Sequence, residues 1–427
     1  MSTRLKILIS AYACSPYRGS EPGVGWGFVR ELAKHHELWV IVEEEKFRAD
    51  IERYLQDHPQ LAQTVHFRFI AKQRNRALRK LWPPSYYWYY RRWHQDALTL
   101  AQRLHREVGF DLAHQLTMVG FREPGYLWQL DVPFVWGPVG GLGLFPWRFI
   151  SQLGAYGAAY YLGYNVYNAL QTRYMARPRQ AARRAGVGLL TATPDNQREA
   201  LARWGCKSTL MAEVGLPSAP VAGVPVRRPG EALRIVWTGQ HISRKALNLG
   251  LQALAAQGSA APDWELHVLG EGPLTATWQA QAVQLGLAGQ CHFHGWLARE
   301  QALAVMARAH VMLITSLRDL TSTVTVEALA MGLPIVCLDH CGFAHAVDES
   351  CGIKVAVTTP AEVVAGLGAA LGALMADEVR RQQLALGALV RAQAFAWEHK
   401  VQVLNRIYAA RLQEAGTAVP ATKPEAA

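Results

Sequence analysis

The stretch Ser316-Leu-Arg-Asp-Leu-Thr-Ser-Thr-Val-Thr-Val-Glu-Ala-Leu-Ala-Met-Gly-Leu-Pro334 says more about the fold than any other part of this 427-residue chain. It follows the apolar residues 311–315, which have the length and composition of a buried strand. Thr321 and Ser322 are good N-caps, so a helix is expected to begin near them. The free N–H groups and the positive end of such a helix bind anions, and they suit a diphosphate.

Two carboxylates flank this predicted helix start. Asp319 lies in the loop and Glu327 lies eight positions later, a turn or two into the helix. We expect them to contact sugar and ribose hydroxyls, while the amides between them hold phosphates. Taken alone, the same residues fit a plainer interpretation equally well, in which Asp319 is a turn residue and Glu327 lies on a solvated helix face.

Strands and helices alternate on both sides of this stretch, which predicts an α/β protein with parallel sheets. Expected strands of the C-terminal half are residues 233–237, 264–269, 291–294, 311–315, 335–338 and 352–355. Those of the N-terminal half are residues 5–13, 37–42, 65–70, 112–114, 134–136, 188–193 and 208–214. Two such sheets predict two doubly wound, Rossmann-like domains that face a cleft, which is the expected ligand site.

The composition narrows the classes of function. A net charge of +11 suggests an anionic partner. The six cysteines form no CxxC pair, which fits a reducing cytoplasm without a disulfide framework. His340, Cys341, His345 and Cys351 lie close together in sequence, but their spacing matches no zinc pattern, so no metal site is predicted. We expect neither a secretory signal nor a membrane span.

The segment 319–334 resembles the hallmark of a known family. That hallmark is an acidic residue, seven others, and then Glu-Ala-Met/Leu-Ala-x-Gly-x-Pro, and Asp319 and Glu327-Ala-Leu-Ala-Met-Gly-Leu-Pro334 match its spacing. The family is that of the retaining glycosyltransferases that include sucrose synthases and many bacterial polysaccharide glycosyltransferases. The resemblance implies the GT-B fold and hexosyl transfer from a nucleotide-diphosphate sugar. It assigns Glu327 to the ribose and Asp319 to the donor sugar.

Three further segments resemble the family in the same order. The family's diphosphate loop is similar to Val236-Trp-Thr-Gly239 to Lys245. Its Gly-x-Gly-Pro strand end is similar to Leu266-His-Val-Leu-Gly-Glu-Gly-Pro273, and its loop that meets the base is similar to residues 291–297. The resemblance implies a metal-independent reaction with no cofactor besides the sugar nucleotide. The implied catalytic residues are Asp319, Lys245 and Glu327. The implied donor site comprises Gly239, Gln240, Arg244, Lys245, Gly270, Gly272, Trp296, Leu320, Thr321, Ser322, Thr323 and Glu327.

The chain departs from the family pattern at the donor site. Asp319 replaces the usual Glu, residues 320–322 replace Gly-Phe-Gly, and Gln240 replaces the diphosphate Arg. Arg244 is our hypothesis for the missing charge. These departures keep open a non-catalytic GT-B subunit that binds a sugar nucleotide or supports a partner, and a GT-B epimerase or phosphorylase is a smaller alternative.

The N-terminal half is expected to bind the acceptor. Gly19 and Ser20 occupy the place of the family's Gly-rich loop near the phosphates, and Glu21 is a candidate for acceptor hydroxyls or a cap of the next helix. His114 matches only the first position of the family's His-x-His. Gly140 and Gly141 suit either a close approach of backbone to ligand or a plain tight turn.

Basic and aromatic residues concentrate in two insertions of this half, residues 71–95 and 145–185. Such mixtures suit an anionic bilayer surface, which predicts a cytoplasmic protein bound peripherally to the inner face of the membrane and a lipid-linked glycan acceptor. Core aromatics with a solvated basic face fit as well, and nothing else supports nucleic acid. The predicted organisation is an acceptor-binding domain (1–216), a linker (217–230), a sugar-nucleotide domain (231–394), a helix that crosses back (395–415) and a disordered tail (416–427).

Overall fold

Two parallel sheets organise the protein in a computed structural model that describes residues 4–72, 85–217, 223–258 and 263–417. The N-terminal sheet contains β1 (Lys6–Ser10), β2 (Glu37–Glu43), β3 (Val65–Ile70), β4 (Leu112–Gln115), β5 (Phe134–Val139), β6 (Leu189–Thr191) and β7 (Thr209–Leu210). Their order is β3-β2-β1-β4-β5-β6-β7. All neighbours are parallel, with Ile7 opposite both Leu38 and Leu112.

The C-terminal sheet contains β8 (Leu233–Thr238), β9 (Trp264–Leu269), β10 (Cys291–Gly295), β11 (Val311–Ile314), β12 (Ile335–Leu338) and β13 (Gly352–Val355). Their order is β10-β9-β8-β11-β12-β13, again with parallel neighbours. The central strands are continuous apolar runs because helices cover both faces of the sheet. The expected strands are therefore confirmed in both halves, with ends that differ by a few residues.

Helices connect the strands. In the N-terminal half they are α1 (Ser20–Leu32), α2 (Glu44–Asp57), α3 (Ser85–Val108), α4 (Gly154–Tyr174), α5 (Ala176–Ala185) and α6 (Pro194–Trp204). In the C-terminal half they are α7 (Leu247–Ala255), α8 (Thr275–Gln284), α9 (Arg299–Met306), α10 (Thr323–Ala330), α11 (Phe343–Ala346), α12 (Pro360–Ala376), α13 (Glu378–Ala392) and α14 (Trp397–Thr417). Short 3₁₀ turns include Trp147–Leu153 and Ser243–Lys245.

Helix α1 begins at Ser20, so Gly19 and Ser20, which were expected in a Gly-rich loop, are its N-cap and its first residue. Gly25 is needed there because a Cβ atom would lie 2.3 Å from the carbonyl oxygen of Ala13. Pro22 is compatible because the first helical turn needs no N–H donor. The glycines thus serve close packing of the helix rather than an open loop.

Helix α14 crosses back from the C-terminal half to the N-terminal sheet, as expected. The ring of Trp397 occupies the space that a Cβ atom on Gly27 would need, 2.3 Å away, and it packs edge-on against Phe28. His36 and Asn405 are hydrogen-bonded at 2.9 Å. This helix ties the two domains together.

Some predictions fall on residues that the structure leaves undescribed. Arg74, Arg76, Arg79 and Lys80 of the first insertion, and residues 418–427 of the expected tail, lie outside the described ranges. The described part of the tail, up to Thr417, is helical. All six cysteines are described and none forms a disulfide, as expected.

Candidate active site in the interdomain cleft

The order of strands places two switch points opposite each other. In the N-terminal sheet, β2 and β4 lie on opposite sides of β1. In the C-terminal sheet, β9 and β11 lie on opposite sides of β8. Loops at the carboxyl ends of such strands diverge and leave a crevice for ligands. A cavity of about 470 Å³ occupies the cleft between these loops, and we call it the first cavity.

The first cavity collects residues from both domains. Its lining includes Ser20 and Glu21 of the N-terminal domain and, from the C-terminal domain, Gly239, Gln240, Arg244, Lys245, Asp319, Leu320, Ser322 and Thr323. Most of the predicted donor residues are thus together. Gly140 and Gly141 line a neighbouring cavity, whereas Gly19, His114, Gly270, Gly272, Trp296, Thr321 and Glu327 line neither of the two.

Lys245 and Asp319 form the charged centre of the first cavity. The Nζ atom of Lys245 lies 2.5 Å from Oδ2 of Asp319, and Nη1 of Arg244 lies 3.2 Å from the same oxygen. Burial alone would raise the pKa of Asp319, but Lys245 and Arg244 outweigh it and hold that pKa below its usual value. The carboxylate is therefore ionised and shared by two cations.

The 3₁₀ turn Ser243–Lys245 positions both cations. The carbonyl of Lys245 accepts a hydrogen bond from the hydroxyl of Thr315 at 2.7 Å, and the carbonyl of Arg244 accepts one from the amide of Leu317 at 2.8 Å. The loop after β8 is therefore fastened to the loop after β11. Local sequence could not reveal this pairing, because about 70 residues separate the two loops.

Helix α10 begins at Thr323, as the sequence suggested within two residues, and its N-cap is Ser322. Ser322 has φ +67° and ψ 130° and makes no side-chain capping bond. Thr323 and Val324, the first residues of α10, line the first cavity. This arrangement keeps the expected anion site at the start of the helix.

Thr321 does not face the first cavity. Its amide donates to Oε1 of Glu213 at 2.9 Å, and its hydroxyl donates to Oε2 at 3.1 Å. Glu213 had no predicted role, although it lies three residues after β7, near the edge of the sheet where functional side chains gather. The structure places Thr321 in an interdomain contact, and the predicted donor contact of its side chain has no support in this geometry.

Glu213 is buried beside a buried lysine of α14. Burial raises the pKa of Glu213 and lowers the pKa of Lys400 to about 7. Lys400 donates a hydrogen bond to the carbonyl of Val214 at 2.9 Å. The cluster Glu213, Thr321 and Lys400 thus fastens both domains and α14 at the floor of the cleft.

Glu327, the predicted ribose ligand, lies within α10 and is 8% exposed. Its Oε1 atom lies 2.5 Å from Nη2 of Arg299, which begins α9 and is itself largely exposed. The contact is an ion pair without good hydrogen-bond geometry. An exposed arginine can move aside, so Glu327 remains accessible to a ligand that displaces Arg299.

The glycines after β8 and β9 serve loop packing. A Cβ atom on Gly270 would lie 2.1 Å from the carbonyl oxygen of Gly239, and one on Gly272 would lie 2.6 Å from that of His241. Side chains at these positions would push the two loops apart. Trp296 is 73% exposed, and its amide donates to Oε1 of Glu271 at 3.0 Å.

On the N-terminal side, Glu21 fastens α1 to a neighbouring loop. Its carboxylate accepts a hydrogen bond from the amide of Val119 at 3.0 Å, and burial raises its pKa. Gly19 precedes the helix as its N-cap, and Ser20 has φ +58°. Glu21 therefore lines the first cavity with a carboxylate that is already engaged.

Gly140 and Gly141 follow β5, and Gly140 packs against Leu320 of the C-terminal domain. A Cβ atom on Gly140 would lie 2.6 Å from a methyl group of Leu320. Gly141 has φ +81°, a conformation that favours glycine. Close packing of the domains is therefore the observed reason for Gly140.

His114 lies in the core. Its Nδ1 is 2.7 Å from the hydroxyl of Tyr408 on α14, and its Nε2 is 2.9 Å from the carbonyl oxygen of Gly137. Burial lowers its pKa to about 4. Both ring nitrogens are occupied and the side chain is fully buried, so the geometry supports a structural role instead of the predicted acceptor-side role.

Asp195, His340 and Cys341 meet across the cleft, with potential ligand atoms within 4.8 Å of one another. Oδ2 of Asp195 lies 3.2 Å from Nδ1 of His340 and accepts a hydrogen bond from the amide of Cys341 at 3.0 Å. Burial raises the pKa of the Cys341 thiol, which opposes metal binding. We interpret the group as an interdomain polar contact, and the expected absence of a metal stays a prediction.

Helix α4 has an unusual orientation. It buries polar side chains, since Asn165 and Asn168 hydrogen-bond backbone groups of residues 142–145. Its opposite face is exposed and apolar, and it carries Tyr156, Tyr160, Leu162, Val166, Tyr167, Leu170 and Tyr174. Charged residues are absent from Gly154 to Thr172 and return at Arg173. We call this surface the aromatic face of α4.

The described helices include none that is both long and apolar enough to cross a membrane.

Comparison with known proteins gives a family match for part of the chain. Residues 232–377 match the family described as glycosyl transferases group 1. A curated relative, the D-inositol 3-phosphate glycosyltransferase of Nocardia farcinica, is 28% identical over 220 residues, which are 50% of this chain and 45% of that protein. The chain thus spans less than half the length of this relative.

Solved structures are similar over almost the whole chain. The lipopolysaccharide outer core galactosyltransferase WaaB in its apo form is 12% identical with a TM-score of 0.62, over 95% of this chain and 100% of WaaB. HepE of Anabaena in complex with UDP is 14% identical with a TM-score of 0.57, over 95% of this chain and 100% of HepE. These similarities confirm the predicted fold.

Proposed function

Because the chain has the GT-B fold and its residues 232–377 belong to the glycosyl transferases group 1 family, we propose that it is a hexosyltransferase. It moves a hexose from a nucleotide-diphosphate sugar to a glycan acceptor, with retention of anomeric configuration and without a metal. The acceptor is lipid-linked, and the product belongs to exopolysaccharide, lipopolysaccharide or glycolipid synthesis.

The observation that carries this proposal is the first cavity. It joins two cations, Arg244 and Lys245, to Thr323 and Val324, the first residues of α10. Backbone N–H groups at a helix start and adjacent cations are the chemistry that a diphosphate requires. Ser20 of the N-terminal domain closes the other side, so a ligand there touches both domains.

The same groups account for catalysis. As the bond between sugar and diphosphate breaks, negative charge grows on the leaving phosphate, and Lys245 with the helix amides stabilises it. A bound diphosphate would draw Lys245 away from Asp319, and the freed carboxylate would then hold the hydroxyls of the donor sugar. The acceptor hydroxyl attacks from the face that the phosphate leaves, and that phosphate takes its proton.

Glu327 is assigned to the ribose of the nucleotide. Two hydroxyls of a ribose suit the buried carboxylate of Glu327, and the bound ribose replaces Arg299 as its partner. HepE, which has a similar fold, was solved with UDP, and this supports a nucleotide as the ligand of this chain.

The aromatic face of α4 supports a membrane-bound location on the inner face of the cytoplasmic membrane. Tyr156, Tyr167 and Tyr174 are 86%, 61% and 70% exposed, although burial of such rings is favourable. Tyrosines of this kind are suited to the interface of a bilayer, and Arg173 and Arg183, which follow, suit anionic lipid headgroups. α4 also lines the cleft through Tyr164, which Arg318 contacts, so a lipid-linked acceptor would enter beside it.

One observation favours a non-catalytic subunit as the second candidate. Gln240 faces the first cavity where the family has an arginine, and Lys245 and Arg244 already neutralise Asp319. Such a protein would bind the sugar nucleotide without turning it over.

Turnover of a panel of UDP- and GDP-sugars separates the two candidates. We expect the native chain to release nucleotide from at least one donor, and Glu327→Ala to abolish this release. The matched control is Glu300→Ala, an exposed carboxylate on α9. Binding of a donor without any turnover would establish the second candidate, and an unaffected Glu327→Ala would remove Glu327 from the site.

Sedimentation with vesicles tests the membrane assignment. The native chain should bind phosphatidylglycerol vesicles in low salt and bind phosphatidylcholine vesicles weakly. Replacing Tyr156, Tyr167 and Tyr174 by serine should abolish binding, while Tyr17→Ser, at another half-exposed tyrosine of the same domain, should leave it intact. Equal binding by the triple variant would refute the role of α4.

A further inference from the structure

A second cavity of about 320 Å³ lies beside the first, on the side of the N-terminal domain. Its lining includes, from the N-terminal domain, Val119, Arg122, Gly140, Gly141 and Asp195 and, from the C-terminal domain, Arg244, Arg318, Asp319, Leu320, His340 and Cys341. Asp319, Arg244 and Leu320 line both cavities. A ligand in the second cavity would therefore lie next to the sugar that Asp319 holds.

Arg122 enters this cavity from the N-terminal domain with a fixed orientation. Its Nε donates to Oε1 of Gln171 and its Nη2 donates to Oδ1 of Asn168, each at 2.5 Å. Its guanidinium also lies 4.8 Å from the ring centroid of Phe121. All these partners are neutral, so they orient the charge and leave it uncompensated.

Arg318 enters from the C-terminal domain and is held in the same manner. Its guanidinium carbon lies 4.0 Å from the ring centroid of Tyr164, and its Nη2 donates to the hydroxyl of that tyrosine at 2.5 Å. Arg122 lies 5.9 Å from the same ring centroid. One tyrosine of α4 thus gathers an arginine from each domain.

The charges that line the second cavity do not cancel. Asp319 is engaged by Lys245 and Arg244, and Asp195 is engaged by His340 and by Arg198. Neither Arg122 nor Arg318 has a carboxylate partner within the part of the chain that the structure describes. Two half-buried guanidinium groups, oriented by neutral side chains, form a preorganised site for an anion.

We propose that the second cavity binds a phosphate or carboxylate group on the acceptor, so that the enzyme glycosylates an anionic acceptor. This inference rests on the proposed function. Arg122 and Arg318 hold the anionic group, and Asp319 and Leu320 lie between it and the donor. Because the two arginines belong to different domains, the bound acceptor also holds the cleft closed.

Binding of small anions to the full chain tests the proposal, with the donor site first filled by UDP. The probes are glycerol 3-phosphate and glycerate, with glycerol as their neutral match. We expect one or both anions to bind, and glycerol not to bind. Arg122→Gln and Arg318→Gln should each weaken binding by about tenfold or more, since each removes a charge-assisted contact. The two probes distinguish phosphate from carboxylate.

Control variants distinguish loss of the anion site from loss of the folded structure. Arg122→Lys should restore part of the affinity because it restores the charge, and Arg103→Gln, on the exposed surface of α3, should have no effect. UDP binding, measured on every variant, reports the donor site. Anion binding that Arg122→Gln and Arg318→Gln leave unchanged, or no anion binding by a chain that binds UDP, would overturn the proposal. Failure of both UDP and GDP to bind would refute the proposed function. The anion measurement can be made without a nucleotide, so the two failures are distinguishable.

Discussion

Ser322 lies in the loop between β11 and α10, and its substitution tests how that loop is held. It caps α10 with φ +67° and ψ 130°, a conformation that glycine adopts readily and other residues adopt only under strain. The side chain makes no capping hydrogen bond, so Ser322→Gly loses no contact of that kind. Strain of this type costs about 1–3 kcal/mol, and glycine adds about 0.5–1 kcal/mol of backbone entropy on folding. The difference predicts a net stabilisation of about 1 kcal/mol.

Thermal and urea denaturation measure this effect. For a domain of this size, 1 kcal/mol corresponds to a rise in Tm of about 2–4 °C. Ser243→Gly is the matched control, because Ser243 has no positive φ, and it should destabilise the chain. Since Ser322 lines the first cavity, UDP affinity should be measured on the same proteins. A Ser322→Gly variant that is less stable than the native chain would refute the account of this loop.

Four further substitutions have defined outcomes. Gln240→Arg should tighten UDP binding by about tenfold, because it adds a charge-assisted contact to phosphate. Arg244→Ala should weaken UDP binding by about 1.5–3 kcal/mol, because it removes such a contact. Calorimetry measures both affinities. Glu213→Ala should lower the free energy of unfolding, measured in urea, by about 3 kcal/mol, because it leaves the charge of Lys400 without its nearby carboxylate and the amide of Thr321 without its acceptor. Unchanged stability would refute a stabilising role for this interdomain contact. The folded pKa of His114, about 4, lies below its ordinary 6.5, so the unfolded chain binds the extra proton between these values and stability rises with pH across that window. His114→Gln should flatten this rise by up to about 3 kcal/mol, as followed by urea denaturation from pH 4 to 7.

The architecture follows from local patterns in the sequence. Short apolar runs such as β11 and β12 are typical of strands buried between helices, so their positions were predicted almost to the residue. The spacing of Asp319 and Glu327 likewise fixes one in a loop and the other in a helix. These features depend on neighbours in sequence, and the sequence alone determines them.

The partners of the site residues depend on tertiary structure. Thr321 seemed a donor ligand, yet it binds Glu213, which lies 108 residues away. Nothing in the local sequence indicated that Arg299 would pair with Glu327, or that Arg122 and Arg318 would meet at Tyr164. Such contacts arise when two sheets and a crossing helix are brought together, because hydrogen bonds and ion pairs select the groups that lie nearest in space. The sequence therefore determined where the cleft is, and only the folded chain decided which side chains face it.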